Sequence, residues 1–151
     1  MRLWHQKLIW HLDSKRLLGQ HRECCALRGR GWGKKHSVVD YVFRYGLAHL
    51  YEYHKLVMNE MIRRNYNVDA KWYDEAYRGR FLPPAAMAEI GVYIPPVGPE
   101  PYWASRFMIY PEHDDRYLKE CLLNLKSKGA ELNGEKNIES WLIELDLRGV
   151  R

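Results

Sequence analysis

The chain has 151 residues, 46% of them hydrophobic and 28% charged, with a net charge of +5; that is enough for one domain with a real core. No apolar run approaches the ~18 residues of a membrane span, and the opening MRLWHQKLIW lacks the apolar centre and small-residue cleavage site of a secretory signal. Three cysteines, two of them adjacent (Cys24 and Cys25), make no disulfide framework, so a reduced, cytoplasmic location is the expectation.

The first twelve residues mix aromatics with His5 and His11 and carry no clear period. Asp13 or Ser14 can cap a helix that runs to about Arg28. On a 3.6-residue period Leu17, Leu18, His21, Cys24, Cys25 and Arg28 share one face, while Arg16, Gln20, Glu23 and Leu27 share another. The Leu/Cys stripe is expected to face the core, which leaves Glu23 solvated or lining a groove. Beyond the helix the chain breaks at Gly29, Gly31 and Gly33 and closes on Lys34-Lys35-His36. These glycines permit backbone shapes closed to other residues and close approach to a ligand. They match no phosphate-loop pattern.

From Gly46 to Asn65 the spacing predicts a long helix, with Leu47, Leu50, Tyr51, His54, Val57, Met58, Met61 and Ile62 in one stripe. His54 in that stripe reads as a buried, hydrogen-bonded core histidine. Arg63 and Arg64 suit the helix C-terminus. All seven prolines fall between Pro83 and Pro111, and residues 66–111 are dense in aromatics. This stretch reads as an irregular, packed connection. A helix resumes near Asp114, with Tyr117, Leu118, Cys121, Leu122 and Leu125 inward and Gly129 as its stop. Asn133-Gly134 marks a turn, and a last helix over about 136–147 buries Ile138, Trp141, Leu142 and Leu145. The expected fold is mainly α: a compact, single-domain helical protein over 1–151, with one long Pro/aromatic-rich connection.

The charge is unevenly placed. Residues 1–44 hold ten Lys/Arg against three acids, whereas the remaining 107 residues are slightly acidic. Such asymmetry points to an anionic partner, nucleic acid above all. Glu23 is the one acid among Arg22, Arg28, Arg30, Lys34 and Lys35. A lone carboxylate in a basic surface is what a nucleic-acid enzyme needs, because bases hold phosphates and the acid can exchange protons; a solvated helix end is the plain alternative. The seven histidines and three cysteines form no H-E-x-x-H, no paired C-x-x-C and no cluster at zinc spacing, so no metal is expected. No G-x-S-x-G occurs. Cys24 and Cys25, on the apolar stripe, read as small buried hydrophobes.

Leu17-Leu18 followed by Arg22-Glu23, and then a basic glycine-containing loop closing on Gly33-x-x-His36, resembles the pyrimidine-dimer DNA glycosylase family, the small phage-type endonuclease V repair enzymes. Arg63-Arg64-Asn65-Tyr66-Asn67 and Arg78-Gly79-Arg80-Phe81-Leu82-Pro83 are similar to family motifs in the same order. The likeness covers about residues 1–84. It implies a bifunctional glycosylase/AP lyase acting without cofactor on damaged double-stranded DNA, as a monomer and with no membrane partner. Cyclobutane pyrimidine dimers are the expected lesion.

The resemblance implies that the N-terminal α-amine attacks the sugar C1′, an imine forms as the base leaves, and β-elimination cuts the strand. By the motif, Glu23 is the essential acid/base. Family members begin Met-Thr-Arg and lose Met; here Arg2 follows Met1, so the amine of Met1 becomes the expected nucleophile. An α-amine ordinarily titrates at ~7.7–8.0 and is partly uncharged at neutrality, unlike lysine at ~10.4. Arg2, Arg22, Arg28, Arg30, Lys34, Lys35 and His36 are the expected DNA contacts, although His36 serves equally well as a structural hydrogen-bonding group. Where the family has a further Arg three residues after its Glu, this chain has Ala26, and Arg28 or Arg30 is left to substitute. Two other readings stand beside this one: a nucleic-acid-binding module of the same fold without chemistry, and a metal-dependent hydrolase.

Overall fold

A computed structural model describes residues 2–35, 38–95 and 107–151. The fold is mainly helical, and no strand occurs among the described residues. Five helices can be named in chain order: α1 Ser14–Arg28, α2 Leu47–Arg63, α3 Met87–Ile90, α4 Asp115–Ser127 and α5 Ile138–Leu147. Short 3₁₀ turns cover Gln6–His11, Asp40–Arg44 and Ala70–Tyr73.

The local signals explain the helix ends. Asp13 caps α1 by accepting from the Arg16 N–H at 2.8 Å, and its other oxygen holds the Arg16 guanidinium. Asp114 and Asn137 cap α4 and α5 in the same way. Gly129 stops α4 in a left-handed conformation, φ +67°. Near the end of α2 a buried carboxylate, Glu60, receives both Arg63 and Arg64, and Arg64 also donates to the carbonyls of Leu12 and Trp10. Arg64 therefore does more than answer a helix dipole: it fastens α2 to the turn at Trp10 and Leu12.

α1 packs on α2 and α4 on α5, and the buried residues from Leu3 to Leu145 form one contiguous cluster. Residues 2–5 have no regular secondary structure and run into the core: Leu3 is 0% exposed and His5 1%. Three expectations change. Gln20 and Leu27, placed off the core stripe by periodicity, are both buried; α1 is covered on two sides, so no single apolar stripe exists. Ile62 is 51% exposed although Met61 before it is buried, so in its last turn α2 meets the core on the Met61 side alone. The connection after α2 is packed at Trp72 and Tyr77 and again at Ile109 and Tyr110, but Phe81, Met87, Val92 and Ile94 between them are exposed. Residues 96–106 of that connection lie outside the described residues.

Candidate functional site at the start of the chain

Gln20 and Glu23 lie three residues apart on α1, so both side chains leave the helix on the same side. They meet residues 2–4. The Arg2 backbone N–H donates to Glu23 Oε2 at 3.1 Å, and Gln20 Nε2 donates to the same oxygen at 3.2 Å. Gln20 Nε2 also donates to the Arg2 carbonyl (2.9 Å), while Gln20 Oε1 accepts from the Trp4 N–H (2.6 Å). The single proton of the Tyr53 hydroxyl on α2 is shared between the Trp4 carbonyl (2.5 Å) and Gln20 Oε1 (2.9 Å). Tyr117 of α4 donates to the Leu3 carbonyl, and His113 Nδ1 accepts from the Gln6 N–H at 3.0 Å. The start of the chain is thus tied down, peptide by peptide, by polar side chains from three helices and one loop. Termini are ordinarily the least ordered part of a domain unless something holds them.

Burial sets the charge state of this surround. His113 and His5 are pushed well down, His5 to about 4, because desolvation penalises the charged imidazole. Tyr53 and Tyr117 are pushed up by burial and keep their protons. Glu23 is half-buried and is the one carboxylate bonded to the first described peptide group.

The other expected site residues divide. Arg22, Arg30, Lys34 and Lys35 are exposed. The loop that carries three of them is fixed by Trp32, whose ring meets Phe43 edge-on at 5.2 Å. Gly31 serves the chain's own packing, since a Cβ there would stand 2.8 Å from the Ala26 carbonyl oxygen, whereas Gly33 stands in open space and answers a left-handed φ of +77°. Arg2 turns its side chain toward α4, where it pairs with Glu120 at 3.2 Å and lies over the rings of Trp4 and Tyr117. Met1 and His36 lie outside the described residues.

Arg28 corrects the sequence expectation. It is 1% exposed, and its guanidinium donates to the carbonyls of Trp72 (2.8 Å), Asp74 (2.6 Å) and Tyr77 (3.3 Å) and to His54 Nδ1 (2.9 Å). It lies over Tyr51 and Trp72. A cation so enclosed presents nothing to a phosphate. It knots α1, α2 and the connection together, and Arg30 remains as the exposed arginine beyond Ala26.

Sequence reasoning missed two groups. Gln20 was visible only as a neighbour of Glu23 on one face. Arg78 donates to the carbonyls of Arg28 and Gly29 at the end of α1, which brings Arg80 and Phe81 beside the basic loop. Phe81 is 79% exposed with the guanidinium groups of Arg30 and Arg80 each 5.8 Å from its ring centre. An exposed ring between two cations suits a nucleobase as a stacking partner.

His21, Cys25 and His54 also converge, which the spacing of His21 and Cys24 did not suggest. Their ligand atoms lie within 4.8 Å of one another. The hydrogen bonding fits a metal poorly. The Arg28 guanidinium can only donate, so His54 Nδ1 must accept and its proton sits on Nε2. That Nε2 faces His21 Nδ1 at 2.8 Å, so the lone pair a metal requires is occupied by the proton of a hydrogen bond. Burial pushes the half-buried Cys25 thiol up to about 12. The cluster is a hydrogen-bonded chain running out from Arg28.

No helix among the described residues is long and apolar enough to cross a membrane. Residues 1–74 match the family model described as pyrimidine dimer DNA glycosylase. Comparison with curated proteins and with solved structures gives no match.

Proposed function

We propose, from the premise that the chain belongs through residues 1–74 to the pyrimidine dimer DNA glycosylase family, that it excises damaged bases from duplex DNA and then cuts the strand. Pyrimidine dimers are the substrate and the α-amine of Met1 the nucleophile. One observation carries this reading: Glu23 Oε2 accepts the backbone N–H of Arg2. Covalent geometry keeps the amine of residue 1 within about 4 Å of that nitrogen. On this reading Glu23, held on the Arg2 peptide, is the acid/base that serves the amine of the preceding residue.

In the proposed reaction the uncharged amine attacks C1′ of the damaged nucleoside. The C1′–base bond breaks, its electron pair leaves with the base, and Glu23 exchanges the protons this requires. The sugar ring opens to an imine on Met1. Loss of a C2′ proton then expels the 3′ phosphate, and hydrolysis of the imine returns the enzyme. Arg22, Arg30, Lys34, Lys35 and His36, with Arg80 now added, hold the phosphates. Phe81 supplies a face for an unstacked base.

The test is borohydride trapping on an abasic-site duplex, followed by peptide mapping. The adduct is expected on residue 1, and Glu23→Gln should lower base excision by about 10²–10⁴-fold while keeping DNA affinity. An adduct on Lys7, Lys34 or Lys35 would overturn the nucleophile. No adduct, with salt-sensitive binding intact, would favour the binding-module reading.

A further inference from the structure

Gln20 is 1% exposed, and all four hydrogen-bonding positions of its amide are taken. Its orientation admits one choice. The Trp4 N–H needs an acceptor, the Arg2 carbonyl and the Glu23 carboxylate need a donor, and the Tyr53 hydroxyl, whose proton also reaches the Trp4 carbonyl, suits either. A reversed amide would fail at the two backbone groups at once. The result is a rigid unit: residues 2–4, the Gln20 amide and the Glu23 carboxylate are cross-linked at 2.6–3.2 Å.

The two oxygens of Glu23 are thereby made unequal. Oε2 takes both the Gln20 and the Arg2 N–H, and Oε1 takes neither. We propose that Gln20 is a positioning residue for imine formation: it engages Oε2, so that Oε1 is the oxygen that exchanges protons with the amine and the departing base. This deepens the function proposed above and rests on it. Gln20 touches neither substrate nor the reacting atoms; it acts through Glu23 and through the placement of residue 2.

Gln20→Glu separates this role from simple packing. It keeps an acceptor for Trp4 and Tyr53 but removes the donor toward Arg2 and Glu23, and it sets a second carboxylate against the first. The other titratable or charged groups nearby are Arg22 and Cys24 on α1, Tyr53 on α2, Arg2 with its partners Tyr117 and Glu120 on α4, and, in the proposed reaction, the α-amine of Met1. None of them changes in the variant. Two carboxylates in contact share a proton until the pH is raised, so the acid limb of the rate profile should move to higher pH.

The experiment measures the single-turnover rate of borohydride-trappable imine on an abasic duplex from pH 5 to 8, alongside DNA affinity. Gln20→Glu is expected to lose about 100-fold in rate at neutrality, as a ~1 Å misplacement does, with affinity unchanged. Gln20→Asn, which keeps the amide but withdraws it by one methylene, should lose rate with the acid limb unmoved; it provides the test if the Glu variant does not fold. A wild-type rate in either variant, or the same pH profile in Gln20→Glu as in Gln20→Asn, would overturn the proposal. A wild-type adduct on a lysine would instead overturn the underlying reaction, so the two failures are distinguishable.

Discussion

Residues 2–6 and residues 81–94 both lack long regular structure, yet the molecule treats them oppositely. In the first, Leu3, Trp4, His5 and Gln6 are buried, and side chains answer the N–H groups of Arg2, Trp4 and Gln6 and the carbonyls of Arg2, Leu3 and Trp4. In the second, Phe81, Met87, Val92 and Ile94 are all more than three-quarters exposed. The difference does not lie in the backbone. It lies in which polar side chains the helices aim at it. α1, α2 and α4 aim Gln20, Glu23, Tyr53 and Tyr117 at the start of the chain and rigidify it without a ladder of backbone bonds. A reacting group needs such fixity, whereas a surface that receives a nucleic-acid strand needs exposed rings and charges.

The sharpest way to break the contrast is through Arg28, which ties the interior to the connection that leads to Phe81. Arg28→Met should cost about 3–5 kcal/mol, because three carbonyls and His54 lose a donor in a buried setting. Arg30→Met, two residues on and exposed, should leave stability within about 0.5 kcal/mol. Urea unfolding of the two variants checks this; equal midpoints would mean that the buried guanidinium is not a structural knot.

Acid should loosen the fixed region next. The folded protein does not bind a proton at His5 until about pH 4, whereas the unfolded chain binds it near 6.5. Between those values the unfolded state holds more protons, so stability is full above 6.5 and falls as the pH drops toward 4. For His5 alone that is roughly 3 kcal/mol. His113 and His54, also pushed down by burial, act in the same direction. Unfolding midpoints that stay flat from pH 7 to 4.5 would contradict the buried, neutral assignment.

The smallest effect belongs to the exposed region. Phe81→Ala should leave stability unchanged yet weaken binding to DNA with an unpaired base by about 1–3 kcal/mol. Fluorescence anisotropy at constant salt measures it. Loss of stability without loss of affinity would make Phe81 a packing residue.

Much of this was legible in the chain, for a local reason. Helix caps, stops and apolar periods are short-range, so Asp13, Asp114, Gly129 and the stripes of α2 and α4 mark their elements before any contact is known. Glu23 stood out as a single acid in a basic segment, and its order relative to Arg22 and the loop carried the family resemblance. Periodicity misled where a helix is covered on two sides. On α1 it counted Gln20 as outward, because it weighs apolar character and Gln20 is buried as a polar group; Arg28 it set on the core-facing side, and only the charge of the segment and the resemblance kept that residue among the candidates for DNA.

The sequence by itself therefore determined the four longer helices and their caps and stops, and marked the basic segment with its single acid, while the short helix α3 went unseen in the connection. Tertiary structure decided what that acid touches. Whether Glu23 faces solvent or the Arg2 peptide depends on contacts across 21 residues of chain, and Arg28 finds its acceptors 44 to 49 residues away. Hydrogen bonds of that reach are selected by how α1, α2 and the first residues pack together. Buried polar groups must find partners wherever packing places them, and no local pattern along the chain encodes which partner that will be.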